Sequence, residues 1–375
     1  MDALTLSQKL LRCPSITPHN EGALEVVAEA LTGLGFTCER FDHEGICNLY
    51  ASYGSGSPHL CFAGHTDVVP LGDATLWTCD PFGAEIKQGQ LWGRGAADMK
   101  CAIACFISAI ATFLKTSPLS GTLSLLITGD EEGAALYGTQ YVLPFLEERG
   151  AIPDLCLIGE PTSLNVVGDT LKVGRRGTVT GTLTCYGKQG HIAYPQNTDN
   201  PIPRLLKCLT ALNTHVFDKG TDVFEPTRLE ITSIDTDNPA TNIIPQKTEA
   251  KFGIRINTLQ TGEKVCETVK TLCEAPGGKH ELALTMHGNA FLTEDPKMID
   301  LMQQAVASVT GTLPDLNTTG GATDGRFISK LCPVIECGMR EETMHQIDEH
   351  VGLEDIQRLT EIYGAILKTF FKVDT

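Results

Sequence analysis

Residues 60–70 have the sequence L-C-F-A-G-H-T-D-V-V-P, and this segment decides how the rest of the chain is interpreted. Its apolar run up to Gly64 is short and bounded by breakers, which is typical of a buried strand in a parallel sheet. Ligands of open α/β sheets bind just beyond the carboxyl ends of such strands. His65 and Asp67 lie at that end.

His65 and Asp67 are two residues apart, so on an extended backbone their side chains point to the same side. We expect the Asp67 carboxylate to accept a hydrogen bond from the imidazole of His65. This bond would fix the tautomer and leave the other ring nitrogen free for a metal ion. For these two residues alone, a hydrogen-bonded pair without a metal is an equally good interpretation.

Carboxylates follow other apolar segments in the same way. The runs at residues 121–128 and 154–158 predict buried strands, and residues 99–114 are apolar on nearly all faces, which predicts a buried helix. An isolated acidic turn would be interpreted as solvated, but the repetition at buried segments favours one shared pocket. The carboxylates that flank these three segments are Asp98, Glu131, Glu132 and Glu160.

Composition limits the classes of function. The chain has 375 residues, which exceeds what one hydrophobic core usually holds. It carries 46 acidic and 29 basic residues, a net charge of −17, which argues against a nucleic-acid partner. No signal peptide or membrane span is expected, so we predict a cytoplasmic protein without a membrane partner. The 14 cysteines form no CxxC pair and are interpreted as reduced and packed.

The pattern of the chain changes after residue 176. Alternating strands and helices in the order β-α-β-β-α-β predict a separate two-layer α+β domain of ferredoxin-like type. The first pattern returns near residue 290. We therefore predict an α/β catalytic domain with a mixed sheet, formed by residues 1–176 and 290–375. Residues 177–289 would form an inserted dimerisation or lid domain.

The histidine and carboxylate side chains at the ends of the predicted strands are potential metal ligands. Nitrogen and oxygen ligands without cysteine suit zinc, cobalt or manganese. Several carboxylates in one cleft repel one another, and two divalent cations would neutralise that repulsion. Glu131 and Glu132 are adjacent and point in different directions on a regular backbone. One can therefore bind a metal while the other remains free as a general base.

Four stretches together resemble the M20-type dinuclear zinc amidohydrolases and peptidases: GHTDVVP, WGRGAADMK, the turn at residues 129–133, and GEPTS. The resemblance implies a zinc-peptidase-like catalytic domain with two Zn²⁺ per subunit, with Co²⁺ able to substitute at one site. It implies Asp98 as the bridging ligand, Glu131 as the general base, and Asp67 as the partner of His65. By resemblance one zinc is held by His65, Asp98 and Glu160, and the other by Asp98, Glu132 and His345.

Further stretches are similar to the branch of this family that hydrolyses the succinyl amide of N-succinyl-LL-2,6-diaminopimelate, in bacterial lysine and diaminopimelate synthesis. They include GRRGTVTG, GHIAYP, TNIIP and TTGGATDGRF. The resemblance implies a homodimer in which His191 reaches the site of the other subunit and stabilises the oxyanion. An anionic small-molecule substrate needs cationic and polar partners. The candidates are Arg176, Tyr194, Asn242, Arg255 and Gly321.

Alternatives remain for several of these residues. Each arginine is about as well explained by a surface ion pair, His191 could be a loop residue, and Arg326 is interpreted as structural. Ala322 and His287 stand where the family usually has Thr and Ser, which concerns substrate affinity, and Thr323 is the residue expected to compensate. Rival functions are a related deacylase acting on acetylornithine, and a metal- or peptide-binding module without catalysis. Glu131 argues against the module because no metal needs it as a ligand.

Overall fold

The computed structural model describes residues 2–372, and its chain forms two compact units. Unit 1 comprises the residues up to Gly174, Leu292–Asn317, and the residues from Thr323 onward. Unit 2 comprises Arg175–Phe291 and Thr318–Ala322.

The helices of the described chain are α1 (Ala3–Leu11), α2 (Ala23–Thr32), α3 (Cys101–Thr116), α4 (Thr139–Glu148), α5 (Ile202–Thr214), α6 (Gly262–Glu274), α7 (Pro296–Thr310), α8 (Gly325–Ile328) and α9 (Leu353–Phe370). The strands are β1 (Thr37–Arg40), β2 (Asn48–Ser55), β3 (His59–His65), β4 (Glu85–Lys87), β5 (Gln90–Trp92), β6 (Gly121–Thr128), β7 (Leu155–Ile158), β8 (Thr170–Lys172), β9 (Gly174–Arg175), β10 (Gly177–Tyr186), β11 (Gly190–His191), β12 (Arg228–Asp235), β13 (Ile243–Ile244), β14 (Lys247–Ile256), β15 (His280–Gly288), β16 (Phe291–Leu292), β17 (Asp315–Asn317), β18 (Val334–Glu336) and β19 (His350–Gly352).

Unit 1 contains an eight-stranded sheet with the strand order β1-β2-β6-β3-β7-β18-β8-β17. Strand β3 pairs in parallel with β6 on one side and with β7 on the other, as the apolar run predicted. Strand β2 is antiparallel to β6, so the sheet is mixed and the predicted α/β class is confirmed. The carboxyl ends of β3, β6 and β7 therefore lie side by side at one edge.

The position of β3 is fixed by its burial. All seven of its residues are buried. Phe62 stacks on Phe106 of α3 with ring centroids 4.2 Å apart, and Tyr363 of α9 meets the Phe62 ring edge-on at 5.8 Å. Each such fully buried side chain stabilises the fold by about 1.5–3 kcal/mol. This packing fixes the strand whose last residue is His65.

Unit 2 is built on a four-stranded antiparallel sheet with the order β12-β14-β10-β15. Its elements follow one another as β10-α5-β12-β14-α6-β15. Alternate residues of β14 are buried, so one face of the sheet is covered. The buried apolar residues of this unit include Val179, Leu183, Leu205, Leu209, Phe252, Val265 and Val269.

The segment at residues 72–89, which is rich in turn residues, contains a strand. Strand β4 pairs antiparallel with β5, which also pairs with β19 in a separate three-stranded sheet. The two strands have three residues each and flank the turn residues Gln88 and Gly89, which have φ values of 54° and 75°. Strands this short leave too few residues for alternation to stand out against the composition of the turn.

One helical stretch among the described residues, Ala96–Thr116, is long and apolar enough to cross a membrane by length and composition alone. The sequence alone led us to expect no membrane-spanning segment. In the structure 89% of its most apolar 18-residue stretch is buried inside the protein. Its hydropathy is therefore explained by its place in the core of unit 1, where α3 packs on β3 and α9.

Candidate metal centre

His65 ends β3 with its imidazole buried. Its Nδ1 donates to the backbone carbonyl of Asp67 at 2.9 Å, whereas the Asp67 carboxylate lies 3.6 Å away. The expected hydrogen bond to the carboxylate is therefore replaced by one to the main chain, because the backbone bends back toward the ring after the strand ends. The Nε2 atom faces Asp98 Oδ1 at 3.1 Å and Glu160 Oε1 at 3.3 Å.

The Asp67 carboxylate has a different role, which the sequence analysis missed. It accepts hydrogen bonds from the backbone N–H of Glu131 at 3.3 Å and of Glu132 at 3.1 Å. Asp67 thus holds the turn after β6 in place. Burial raises the pKa of Asp67 to about 6, with the charge of His65 and the two amides opposing the rise.

Asp98 lies between the two histidines. Its Oδ1 is 3.1 Å from His65 Nε2, and its Oδ2 is 3.2 Å from His345 Nε2. One carboxylate that presents an oxygen to each imidazole is the arrangement that a bridging ligand requires. Asp98 belongs to a π-helical turn at Ala96–Lys100, where its φ of −126° departs from helical geometry.

Two glycines make room for the residue after Asp98. Met99 is completely buried against the sheet. A Cβ atom on Gly64 would lie 2.4 Å from its Cε atom, and a Cβ on Gly159 would lie 2.8 Å from the same atom. Real Cβ atoms do not approach so closely. The absence of a side chain at both positions therefore leaves the space that the end of the Met99 side chain occupies.

His345 and Glu132 complete the second half of the cluster. Their Nε2 and Oε1 atoms are 2.9 Å apart. His345 has a φ of 62°, an uncommon conformation for a non-glycine residue, which aims the ring at the two carboxylates. Hydrogen bonds to Asp98 and Glu132 raise the pKa of His345 to about 10. Burial raises the pKa of Glu160 to about 7, with the charge of Asp98 contributing.

Glu131 lies beside His65 and Glu160, with donor atoms of the three residues within 4.8 Å of one another. Its side chain is 11% exposed and its Oε1 lies 3.9 Å from Arg326, which was interpreted as structural. Burial, together with the charges of Glu160 and of Asp324, raises its pKa well above the ordinary value, and the charge of His65 opposes this. Asp324 was not singled out in the sequence analysis, since nothing local in a glycine-rich turn indicates burial.

The donor atoms fit divalent cations. Two groups of three residues have donor atoms that all lie within 4.8 Å of one another. These groups differ from the ligand sets that the resemblance implies. In the structure Glu132 is grouped with His65 and Asp98, and Glu131 is grouped with His65 and Glu160. All donors are carboxylate oxygens and imidazole nitrogens, which suit zinc, cobalt or manganese. The groups are His65, Asp98 and Glu132, and His65, Glu131 and Glu160.

Unit 2 carries most of the residues predicted to contact substrate. His191 and Tyr194 are exposed, and His191 Nδ1 accepts from the N–H of Ala193 at 3.0 Å. Asn242 is also exposed, and its backbone carbonyl accepts a hydrogen bond from Ile192 N at 3.0 Å.

The two arginines of unit 2 differ in their contacts. Arg176 forms an ion pair with Glu225 at 3.0 Å, as the alternative interpretation expected. Arg255 donates to the hydroxyl of Thr178. Burial and the nearby charge of Arg176 lower the pKa of Arg255, so the two guanidinium groups are close enough to repel.

The glycine-rich turn is divided between the two units. Gly321 is exposed in unit 2, and a Cβ placed on it would meet nothing within 4 Å. Thr323 belongs to unit 1, is 3% exposed, and donates its hydroxyl to Glu336 at 2.6 Å. The expectation that Thr323 compensates for Ala322 is therefore wrong, because its hydroxyl is committed to a buried carboxylate.

Relatives with the same length and pattern are known. A protein from Rhodospirillum centenum named succinyl-diaminopimelate desuccinylase is 49% identical over 376 residues, which cover 99% of this chain and 97% of that one. A protein of the same name from Parvibaculum lavamentivorans is 48% identical over 379 residues, covering 99% and 96%.

Solved structures share the fold. A metallo-carboxypeptidase of the M20 family from Sulfolobus solfataricus has a TM-score of 0.83 at 20% identity, with complete coverage of both chains. A dinuclear metal-binding peptidase of the same family from Bacillus subtilis has a TM-score of 0.73 at 14% identity, covering 99% and 98%. The family model for Peptidase family M20/M25/M40 matches residues 61–369, which include the whole cluster. The chain belongs to this family.

Proposed function

We propose that the chain hydrolyses the succinyl amide of N-succinyl-LL-2,6-diaminopimelate to succinate and LL-2,6-diaminopimelate. The observation that carries this proposal is identity of 48–49% over 99% of the chain to two proteins named for that reaction. The cluster at the ends of β3, β6 and β7 supplies the chemistry of a metal-dependent amidohydrolase. The reaction belongs to bacterial lysine and diaminopimelate synthesis, and we place the protein in the cytoplasm.

Two Zn²⁺ ions per subunit are proposed as the cofactors, with Co²⁺ able to substitute at one site. His65, Asp98 and Glu160 would hold one ion, and Asp98, Glu132 and His345 the other. The two oxygens of Asp98, each within 3.2 Å of a different imidazole, support its role as the bridge.

The bound ions would lower the pKa of a water molecule toward 7 and polarise the carbonyl of the scissile amide. Glu131 accepts a proton from the attacking water, whose oxygen bonds to the amide carbon. The C–N bond then breaks, and Glu131 returns the proton to the leaving amine nitrogen. Its carboxylate lies within 4.8 Å of donor atoms of His65 and Glu160, which supports a position beside the proposed ions although it is not one of their ligands. The backbone carbonyl of Asp67 orients the imidazole of His65, and the Asp67 carboxylate holds the backbone amide of Glu131.

Unit 2 is proposed as the inserted ferredoxin-like dimerisation domain, which supplies His191 to the site of the partner subunit. Because Nδ1 of His191 accepts a hydrogen bond from Ala193 N, the neutral ring carries its proton on Nε2. That N–H can donate to the oxyanion that forms when water attacks the amide. Arg176 and Arg255 are proposed to bind substrate carboxylates, with Tyr194, Asn242 and Gly321 as further contacts.

His191→Ala is expected to lower kcat by about 10²–10³-fold, the usual effect of removing one oxyanion donor. Metal content should remain at two ions per chain, since His191 is not among the proposed ligands. Steady-state kinetics with metal analysis of the same preparation measures both quantities. Unchanged turnover would remove His191 from the mechanism.

Mixing inactive His191→Ala with inactive Glu131→Gln tests whether the site is completed by the partner. In a mixed dimer one site receives an intact Glu131 from its own chain and an intact His191 from its partner. Activity should therefore return after the subunits exchange. The control is each variant alone, carried through the same exchange procedure. A mixture that is as inactive as these controls would argue for catalysis within one subunit.

The rival substrate is N-acetylornithine, which lacks the terminal carboxylate of the succinyl group. We expect kcat/KM to favour the succinyl substrate by about 10–100-fold, because hydrogen bonds to a charged group contribute about 1.5–3 kcal/mol. Both amides should be assayed with one preparation of known metal content. Equal or faster cleavage of the acetyl substrate would assign the chain to the related deacylases.

A further inference from the structure

Unit 1 contains a completely buried ion pair that the mechanism above does not use. Arg94 is 2% exposed and Glu349 is 0% exposed, and their Nη1 and Oε2 atoms are 2.7 Å apart. Burying two charges costs free energy unless further hydrogen bonds satisfy both groups. Where those hydrogen bonds go therefore indicates what the pair stabilises.

Four donors saturate the Glu349 carboxylate. Its Oε2 accepts from Arg94 Nη1 and from Gly95 N at 3.1 Å. Its Oε1 accepts from Ala97 N at 2.9 Å and from Asp98 N at 3.1 Å. Three backbone amides of one turn, at residues 95, 97 and 98, thus donate to one carboxylate. The last of them belongs to Asp98, the proposed bridging ligand.

This convergence requires an unusual backbone. Gly95 has a φ of 85°, and a Cβ at this position would lie 2.6 Å from Val68 Cγ1. Asp98 has non-helical angles within the π-helical turn. A segment with this geometry does not hold itself by regular backbone hydrogen bonding, so Glu349 supplies the acceptors that fix it.

Arg94 connects two further segments. Its Nη1 donates to the carbonyl of Gln346 at 3.0 Å, and its Nη2 donates to the carbonyl of Pro70 at 3.3 Å. Gln346 follows His345 directly, and Pro70 ends the segment that carries His65 and Asp67. The guanidinium therefore contacts the segments that follow His345 and His65, and it is linked to the turn of Asp98 through Glu349.

We propose that Arg94 and Glu349 are positioning residues that set the geometry of the second metal site, formed by Asp98, Glu132 and His345. This inference rests on the proposed two-metal function. The pair acts through the backbone of Asp98 and of Gln346 and touches no substrate.

The two metal sites depend on the pair to different degrees. His65 ends a buried strand and is oriented independently by the carbonyl of Asp67. Glu160 follows β7 within the same sheet. His345 instead lies in an irregular segment, with its side chain 43% exposed and a φ of 62°. Loss of the pair should therefore affect the second site more than the first.

The test is zinc titration of the metal-stripped full chain, followed by calorimetry, with Glu349→Gln as the variant. The amide cannot accept from all four donors, so the backbone of Asp98 loses its constraint. We expect the affinity of the second site to fall about 10–100-fold, the usual effect of altering an outer partner of a metal ligand. The affinity of the first site should fall less, because it shares only Asp98 with the second. Anomalous scattering from crystals grown at limiting zinc should show the loss at His345.

Asp355→Asn is the matched control. The Asp355 carboxylate likewise accepts from an arginine, Arg340 at 3.1 Å, and from a backbone amide, Gly352 at 3.3 Å, but it contacts none of the three segments. Both equivalents should bind to this variant unchanged. Circular dichroism of the metal-free proteins establishes that each variant is folded.

Three results would overturn the proposal: unchanged affinity in folded Glu349→Gln, equal weakening of both equivalents, or the same loss in Asp355→Asn. If Glu349→Gln does not fold, Arg94→Lys decides, since lysine cannot reach three acceptors at once while Glu349 keeps its backbone donors. Unchanged affinity for the second equivalent in Arg94→Lys would then refute the inference. Fewer than two equivalents in the unmodified protein would instead refute the proposed function.

Discussion

Glu131→Gln is expected to lower kcat by about 10²–10⁴-fold, the range that general acid–base groups contribute. The amide retains the size of the carboxylate but cannot take a proton from water. Because Glu131 is not among the proposed ligands of either ion, the variant should still bind two zinc ions per chain. Kinetics and metal analysis on one preparation test both statements.

Glu132→Gln is the matched control for this prediction, since it makes the same chemical change one residue away. Glu132 Oε1 lies 2.9 Å from His345 Nε2, so this variant should bind its second zinc ion more weakly. Kinetic rescue by excess zinc is expected for Glu132→Gln and not for Glu131→Gln. If Glu131→Gln is the variant that loses metal, the roles of the two glutamates are exchanged.

Removal of metal is expected to destabilise the protein strongly. A ligand that binds only the folded state at 1,000 times its Kd stabilises that state by about 4 kcal/mol. For a domain of this size such a change lowers Tm by about 10 °C. The physical reason is the cluster itself, where the carboxylates of Asp98, Glu131, Glu132 and Glu160 lie together and repel one another without the ions.

Differential scanning calorimetry before and after chelation measures this shift, and added zinc should reverse it. Magnesium is the control ion, because it prefers six oxygen ligands in octahedral geometry and should restore little. A protein with the same Tm in all three states would show that the cluster is stable without ions.

The sequence predicted the arrangement of the sheet around β3 because its signal is local. A short apolar run, bounded by breakers and followed by polar residues, specifies a buried parallel strand without reference to the rest of the chain. The neighbours β6 and β7 have the same form, so the meeting of their ends followed from the rule for parallel strands. Strands β4 and β5 are not evident from the sequence, because three residues carry no periodicity.

Side-chain partners were harder to predict than strands. The partner of His65 Nδ1 is the carbonyl of Asp67 and not its carboxylate, a choice set by how the chain turns after the strand. Glu349 lies 251 residues from Asp98 along the chain and contacts it directly. No local pattern distinguishes Glu349 from a solvated acidic residue, since its burial arises only from tertiary packing.

Gly64, Met99 and Gly159 share a single volume at the sheet edge, where the thioether of one residue fills the space that the other two leave open. A mutation that enlarges either glycine would require the side chain of residue 99 to move or to become smaller, and at Gly159 it would also require Phe62 to move. We therefore expect these three positions to change only in combination. Mutant libraries that vary one of them at a time should recover few active sequences, whereas libraries that vary all three together should recover more.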